Sequence, residues 1–318
     1  MLVQAGLQAL FSGSPKVCDA IVKAGNPVKS FDFRNMKDKV VNYQATSYEE
    51  NNELTGLLVH RGDILNALIE NLPKSCLRTN AKLKSIEQSD ESVTASFEDG
   101  SDWTGDVLVG ADGIYSTVRK YVEPDIKPNY LGDIVWRGIV PDDEFCTNGN
   151  FIVYIRSRGV YANFFDLGNG LTHWGFFIEK EQEEDEVGRG RPNDVSMPQE
   201  ELAKLPEAAL AVINSTPPEE VKCRFSYDID TLPSLRNGRI ILIGDAGHAK
   251  SPTRARGMTS GLEDALALAS HLSTQRSVSE MLEAFETERK PIVHEYQISS
   301  REISMKTRGK NKKSKAAA

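Results

Sequence analysis

Apolar positions along this chain recur with two periods, and the switch between them divides it. Residues 1 to 30 carry helical spacing with a break at Gly13-Ser14-Pro15, and Phe31 to Tyr43 holds enough β-branched and aromatic residues for a hairpin. Leu57-Leu58-Val59 reads as a strand end, and Asp63 as the cap of a helix with the stripe Ile64, Leu65, Leu68 and Leu72. Val93 to Phe97 alternates and Glu98-Asp99-Gly100 turns it back. Val107-Leu108-Val109 is short and wholly apolar, which predicts a buried strand of parallel type, and Ser116 then caps a short helix carrying Val118 and Arg119.

Period two takes over from Ile134. Ile134 to Val140, Phe151 to Ile155, Tyr161 to Leu167 and Thr172 to Ile178 read as strands separated by Arg158-Gly159 and Gly168-Asn169-Gly170, a mostly antiparallel layer. Glu179 to Pro198, acidic and rich in Gly and Pro, reads as an exposed insertion, and Glu200 to Ile213 as a helix. The chain returns through Arg224 to Ile229 to a buried strand, Ile240 to Ile243. A helix then opens near Gly257 with the stripe Met258, Leu262, Ala265, Leu266, Ala269 and Leu272. Ser277 and Glu280 form a capping box for a last helix through Phe285 to Arg289, stopped by Pro291. The fold class is therefore α/β: a discontinuous, Rossmann-like domain (1–125 and 226–275) interrupted by a mostly antiparallel substrate domain (126–225). A C-terminal helix (276–300) and a basic, disordered tail (301–318) follow.

Composition narrows the classes. Over 318 residues, 39% hydrophobic and 26% charged content are those of a soluble globular protein. The formal charge of −8 weighs against nucleic acid as a partner. The four cysteines, Cys18, Cys76, Cys146 and Cys223, lie far apart and read as reduced thiols of a cytoplasmic protein. No apolar run approaches the ~20 residues of a membrane helix, and the apolar N-terminus reads as a folded helix rather than a signal. Arg301, Lys306, Arg308, Lys310, Lys312, Lys313 and Lys315 read as a solvated tail. The histidines make no metal-ligand pair, and the oligomeric state stays open.

The chemistry concentrates between Arg239 and Ala269. Asp245 follows a buried strand between Gly244 and Ala246, so nothing bulky covers it and its carboxylate calls for hydrogen-bond donors from a ligand or the backbone. A lone Gly-Asp is ordinarily a turn or a helix cap. Here Pro252, Gly257, Met258, Gly261 and Asp264-Ala265 accompany it, and the segment resembles the Gly-Asp motif of the para-hydroxybenzoate hydroxylase family of FAD-dependent aromatic hydroxylases. Gly110-Ala111-Asp112-Gly113, with Ser116 and Val118-Arg119, resembles that family's second motif, and Arg61 its arginine ahead of a helix. The resemblance implies that Gly244 and Asp245 hold the ribityl chain of FAD and that Pro252, Gly257 and Met258 face the flavin ring. It also implies that Asp112 supports the pyrophosphate region and NAD(P)H, and that Arg61 reaches FAD. Ala255 departs from the pattern, standing where glycine is common, which would be strained at positive φ. His248 reads as a structural hydrogen-bonding group of the loop, not a base.

By the same resemblance the protein is a monooxygenase that takes electrons from NAD(P)H and passes one oxygen atom of O2, through a flavin C4a-hydroperoxide, to a small aromatic or cyclic substrate. Trp136, Arg137, Tyr161, Asn163 and His173 lie on strands that could line the pocket, but the pattern does not sort pocket face from core face. Trp136-Arg137-Gly138-Ile139-Val140-Pro141 lacks the second Trp of the flavin halogenase signature. No Gly-x-Gly-x-x-Gly turn opens the chain, and Gly168-Asn169-Gly170 reads as a hairpin turn. The expectation is a chain that begins after the family's first βαβ unit and holds FAD weakly. The alternative is a catalytically weak relative serving as a binding or regulatory module.

Overall fold

The computed structural model describes residues 1–142, 144–156 and 159–307. Its largest element is a seven-stranded sheet in the order Lys222–Ile229, Pro128–Pro141, Leu171–Glu179, Gly159–Gly168, Asn150–Arg156, Ser30–Arg34, Val40–Ala45. Pairing is antiparallel throughout except between Asn150–Arg156 and Ser30–Arg34. The expected hairpin at 31–43 is present, but it extends the inserted sheet and not the nucleotide-type half.

One face of this sheet is a dry core. Ile134, Trp136, Ile152, Tyr154, Ala162, Phe164, Trp174 and Phe176 are all buried there with Ala209 and Ile213 of the helix Glu207–Asn214. Both indoles find acceptors: Trp174 Nε1 donates to Thr216 Oγ1 (2.7 Å) and Trp136 Nε1 to the Val195 carbonyl (2.7 Å). Most of 179–198 is exposed, as read, but the second bond ties the segment to the sheet. Glu186 in that segment is 1% exposed, and its carboxylate accepts the backbone N–H of Glu183 and of Asn193. The single helix expected over 200–213 is two, Gln199–Leu202 and Glu207–Asn214. Pro206 enters the second as its cap, in extended conformation, where its missing N–H costs nothing.

The other half carries the parallel pair Leu108–Gly110 and Ile240–Leu242 with the short antiparallel strand Arg236–Asn237, beside a meander of Leu83–Gln88, Val93–Phe97 and Asp102–Gly105. The strand at 108 is less buried than its composition suggests. Among the described residues it is paired on one edge only, and Val109 is 40% exposed. Helices Gln4–Gly13, Pro15–Ala24 and Arg61–Glu70 share one apolar cluster, against which Met258 and Leu262 of the helix Gly257–Leu272 pack.

Three helix readings need correction. The helix at 61 begins at Arg61 with His60 as an unbonded cap, so Asp63 sits inside its first turn. Ile64 and Ala67 are its buried residues, while Leu65 and Leu72 are exposed. In Gly257–Leu272 the buried positions are Thr259, Ser260, Asp264 and Leu268, a partly polar face. The capping box at Ser277 forms as read, but the helix Val278–Thr307 runs through Pro291. Its far end is pinned: Arg301 donates to both carboxylate oxygens of buried Asp228 (2.7 Å each). Arg301 thus belongs to the folded body. The basic residues from Arg308 onward lie outside the described residues.

Candidate functional site

The strands Leu108–Gly110 and Ile240–Leu242 run parallel, so their C-terminal ends open on the same edge, the side on which open α/β sheets receive ligands. Two glycine-containing turns leave there, one from each strand. Ile243 N–H donates to the Gly110 carbonyl (3.0 Å), and buried Arg119 donates to Ala246 O (2.9 Å) and Ile114 O (2.5 Å). One guanidinium therefore clips both turns together. Gly110 is required by space: a Cβ there would stand 2.7 Å from Leu242 and 2.8 Å from Val118.

Asp112 spends its carboxylate inside its own turn. Ser116 Oγ donates to Oδ1 (2.5 Å), and the backbone N–H groups of Thr117 and Val118 donate to Oδ2 (2.6 and 3.2 Å). Ser116 Oγ in turn accepts the Arg119 N–H (2.8 Å), which is the expected cap. Asp112 acts on its surroundings by shaping the turn.

Asp245 is the opposite case. It is exposed at the strand end, and none of the hydrogen bonds among the described residues involves its carboxylate. Gly244 before it has φ 57° and ψ −144°, a conformation open to glycine alone at low cost. The carboxylate faces the start of the helix Gly257–Leu272: a Cβ on Gly257 would lie 3.9 Å from Asp245 Oδ1. That helix start has no side-chain cap, so its first N–H groups are free to meet an acceptor. Pro252 opens the short turn Pro252–Arg254, and Ala255 after it has φ 51° and ψ 27°. The left-handed conformation suspected at Ala255 is real. Met258 packs inward against the neighbouring helices.

Beneath this loop lies a charge network that the sequence reading did not assemble. Asp264, 1% exposed, accepts Gly244 N–H (2.9 Å) and Arg289 Nε (2.9 Å) and bonds His248 Nε2 (2.5 Å). Lys250 Nζ donates to His248 Nδ1 (2.8 Å), so the network places the imidazole proton on Nε2, toward Asp264. Arg289 and Arg256 both donate to Glu263, and Arg256 also covers the Tyr296 ring (4.2 Å). Burial opposes ionisation of Asp264, yet the His248 contact, the Gly244 N–H and the Arg289 charge hold its pKa below the ordinary carboxylate value. Burial likewise lowers Lys250, to about 8, against the attraction of Asp245 and Asp264. His248 is structural, as read, but it ties the loop to the helix rather than closing the loop on itself.

The strand register sorts the pocket candidates. Arg137, Gly175 and Asn163 form one cross-strand row, and Ile139, His173 and Phe165 the next row on the same face. Arg224, opposite Val135, shares that face. Trp136 (2% exposed) and Tyr161 (5%) belong instead to the buried core. Desolvation, then the charge of Arg224 and more weakly that of Arg61, lowers the Arg137 pKa.

A parallel pair with clipped glycine turns, an open carboxylate at a helix start and an antiparallel sheet with a polar face together define the α/β architecture of this protein. Known proteins make the class specific. The chain belongs to the FAD binding domain family, which matches residues 17–297. It is 28% identical over 257 residues to a salicylate hydroxylase of Pseudomonas putida, covering 73% of this chain and 59% of the relative. It is 29% identical over 255 residues to a 3-amino-4-hydroxybenzoate 2-monooxygenase of Streptomyces platensis, covering 77% and 62%. The chain thus spans about three-fifths of the length of these relatives. The fold matches that of a Klebsiella pneumoniae HpxO variant crystallised with FAD, with a TM-score of 0.85, 20% identity and coverage of 98% of this chain and 81% of that one.

Proposed function

We propose that the protein is an FAD-dependent monooxygenase, reduced by NAD(P)H, that hydroxylates or epoxidises a small aromatic or cyclic substrate with O2. The observation that carries the reading is Asp245, a carboxylate with no partner among the described residues, held by a glycine-only conformation at the mouth of an uncapped helix. The names of the relatives, hydroxylases and monooxygenases of aromatic acids, support the reaction class. FAD, when bound, supplies the redox and oxygen chemistry.

The chain's own residues do the holding. Asp245 accepts from polyol hydroxyls, and the first N–H groups at Gly257 and Met258 stabilise negative charge on an electron-rich ring. Arg61 adds a cation, the turn at Pro252 sets the path of the loop, and Gly244 and Gly261 let loop and helix approach closely. Asp112 and Arg119 keep the two turns in register. The sheet face orients the substrate and excludes water. No helix among the described residues is long and apolar enough to cross a membrane. Free thiols at all four cysteines suit the cytoplasm, where we place the protein.

The test is titration of the purified chain with FAD, followed by NAD(P)H oxidation against phenols, quinolones and isoprenoid-ring compounds. Saturable flavin binding with substrate-stimulated oxidation and an oxygenated product is expected. Flavin binding with no oxygenated product from any of them would point to the binding-module alternative, and no flavin binding would overturn the reading.

A further inference from the structure

The last helix, Val278–Thr307, changes character along its length. Its first part obeys the usual rule of a surface helix: Met281, Leu282, Phe285 and Val293 are apolar and buried. Beyond Val293 the rule is reversed. The buried positions become Gln297, Ser300 and Ser304, while Ile298, Ile303 and Met305 stand 54%, 39% and 44% exposed. Apolar side chains held in water on an ordered helix gain free energy only by meeting another apolar medium.

The orientation is fixed by the polar side. Gln297 Nε2 donates to the carbonyls of Ile229 (3.2 Å) and Ala249 (3.3 Å), Thr253 Oγ1 donates to the Ser300 carbonyl (2.9 Å), and Arg301 holds Asp228 (2.7 Å). The helix cannot roll its isoleucines inward without breaking these bonds. Ile298 and Met305 stand two turns apart on one flank. Of the carboxylates in this stretch, Glu295 is paired with Arg254 (3.0 Å), and Glu302 is also engaged.

The sequence that follows sets the chemistry of the partner. Lys306, Arg308, Lys310, Lys312, Lys313 and Lys315 are positive, and no acidic residue stands among them, in a chain whose formal charge is −8. An exposed apolar patch joined to a basic run matches a boundary that is apolar inside and anionic outside, which is that of a bilayer containing acidic lipid. A nucleic acid would answer the lysines and leave Ile298 and Met305 in water. A second copy joined through the same patch would set one basic run beside another.

We propose that the end of this helix docks the protein on an anionic membrane surface, with Ile298, Ile303 and Met305 entering the headgroup boundary and the basic run meeting acidic headgroups. Stable anchoring takes two such signals, and the helix end and the basic run supply one each. The contact is peripheral, and it does not depend on the monooxygenase reading.

The experiment is co-sedimentation of the full chain with phosphatidylcholine vesicles and with vesicles containing about one-third phosphatidylserine. Affinity for the acidic vesicles should be at least about tenfold higher and should fall steeply with added salt. Ile298→Ser combined with Met305→Ser should weaken binding to acidic vesicles by about tenfold or more while its salt dependence remains. Lys310→Gln combined with Lys312→Gln and Lys313→Gln should bring the affinities for the two kinds of vesicle together. Thermal melts establish that each variant is folded. No binding to acidic vesicles, equal binding to both kinds, or wild-type binding by the Ile298→Ser, Met305→Ser variant would overturn the proposal. Two other results would also overturn it. An RNA oligonucleotide that binds more tightly than the acidic vesicles would assign the basic run to nucleic acid. A dimer, seen by light scattering, that Ile298→Ser with Met305→Ser dissolves would assign the patch to a second copy.

Discussion

Removing the Asp264 carboxylate should unsettle the loop that presents Asp245 more than any change on its exposed surface. Asp264→Ala takes away three bonds at once: those from Gly244 N–H, His248 Nε2 and Arg289 Nε. Arg289 is 6% exposed and keeps Glu263 as a partner, while Lys250 and His248 keep only each other within this network. Breaking a buried ion pair by deleting one member costs about 3–5 kcal/mol, and the retained Glu263 contact places this case near the lower end. Asp264→Asn keeps an acceptor and the volume, and should cost about 1–3 kcal/mol. At roughly 2–4 °C per kcal/mol for a large domain, the Ala variant should melt some 6–12 °C below wild type. The sign with pH follows. The folded pKa of Asp264 lies below its unfolded value, so its contribution is present above the ordinary carboxylate pKa and lost as pH falls through the folded one. Urea denaturation of wild type, Asp264→Ala and Asp264→Asn, followed by near-UV circular dichroism, gives the comparison. An Ala variant within 1 kcal/mol of wild type at neutral pH would refute the view that this network holds the loop.

Three further outcomes follow from the same geometry. Asp245→Ala should weaken FAD binding by about 1.5–3 kcal/mol with the melting temperature nearly unchanged, since its carboxylate makes no hydrogen bond among the described residues; an unaltered FAD dissociation constant would remove it from the site. Ala255→Gly should raise stability by about 0.5–1 kcal/mol by relieving φ 51°, and a loss measured by urea titration would mean the loop has adapted to alanine. His173, with a folded pKa of about 3 against about 6.5 unfolded, should cost stability progressively as pH falls below about 6.5, because only the unfolded chain then takes up its proton. His173→Phe should flatten that limb of the pH–stability curve, and identical curves would exclude the depressed pKa.

What the sequence disclosed was what short-range stereochemistry controls. Gly110-Ala111-Asp112-Gly113 and Gly244-Asp245 were readable because an apolar strand followed by a glycine turn needs no distant partner to be recognised. Ala255 stood out for the same reason, since its side chain conflicts with a local conformation. Long-range partners were invisible. The helix at 257 was assigned an apolar stripe, yet it buries Asp264, because Arg289, twenty-five positions away, meets the carboxylate. Pro291 was read as a stop, but buried contacts at Phe285 and Val293 and the Arg301–Asp228 pair carry the helix past it. Asp112 was found by its motif, while the bonds that occupy it depend on how the turn closes. The faces of the sheet could not be separated because both are aromatic: Phe164 and Phe176 point into the core, and Phe165 and Phe177 lie on the other side.

That adjacency of opposed neighbours has an evolutionary consequence. From Ala162 to Phe165 and from Thr172 to Phe177, residues of the buried core alternate with residues of the opposite, polar face, and the pleat keeps the two sets apart. Replacing Asn163, His173 or Phe177 changes the chemistry of the polar face without opening a hole among Phe164, Trp174 and Phe176. Selectivity can therefore drift while folding is conserved, one alternate position at a time. The limit is insertion: a single added residue in either strand would exchange the two sets and abolish both properties together.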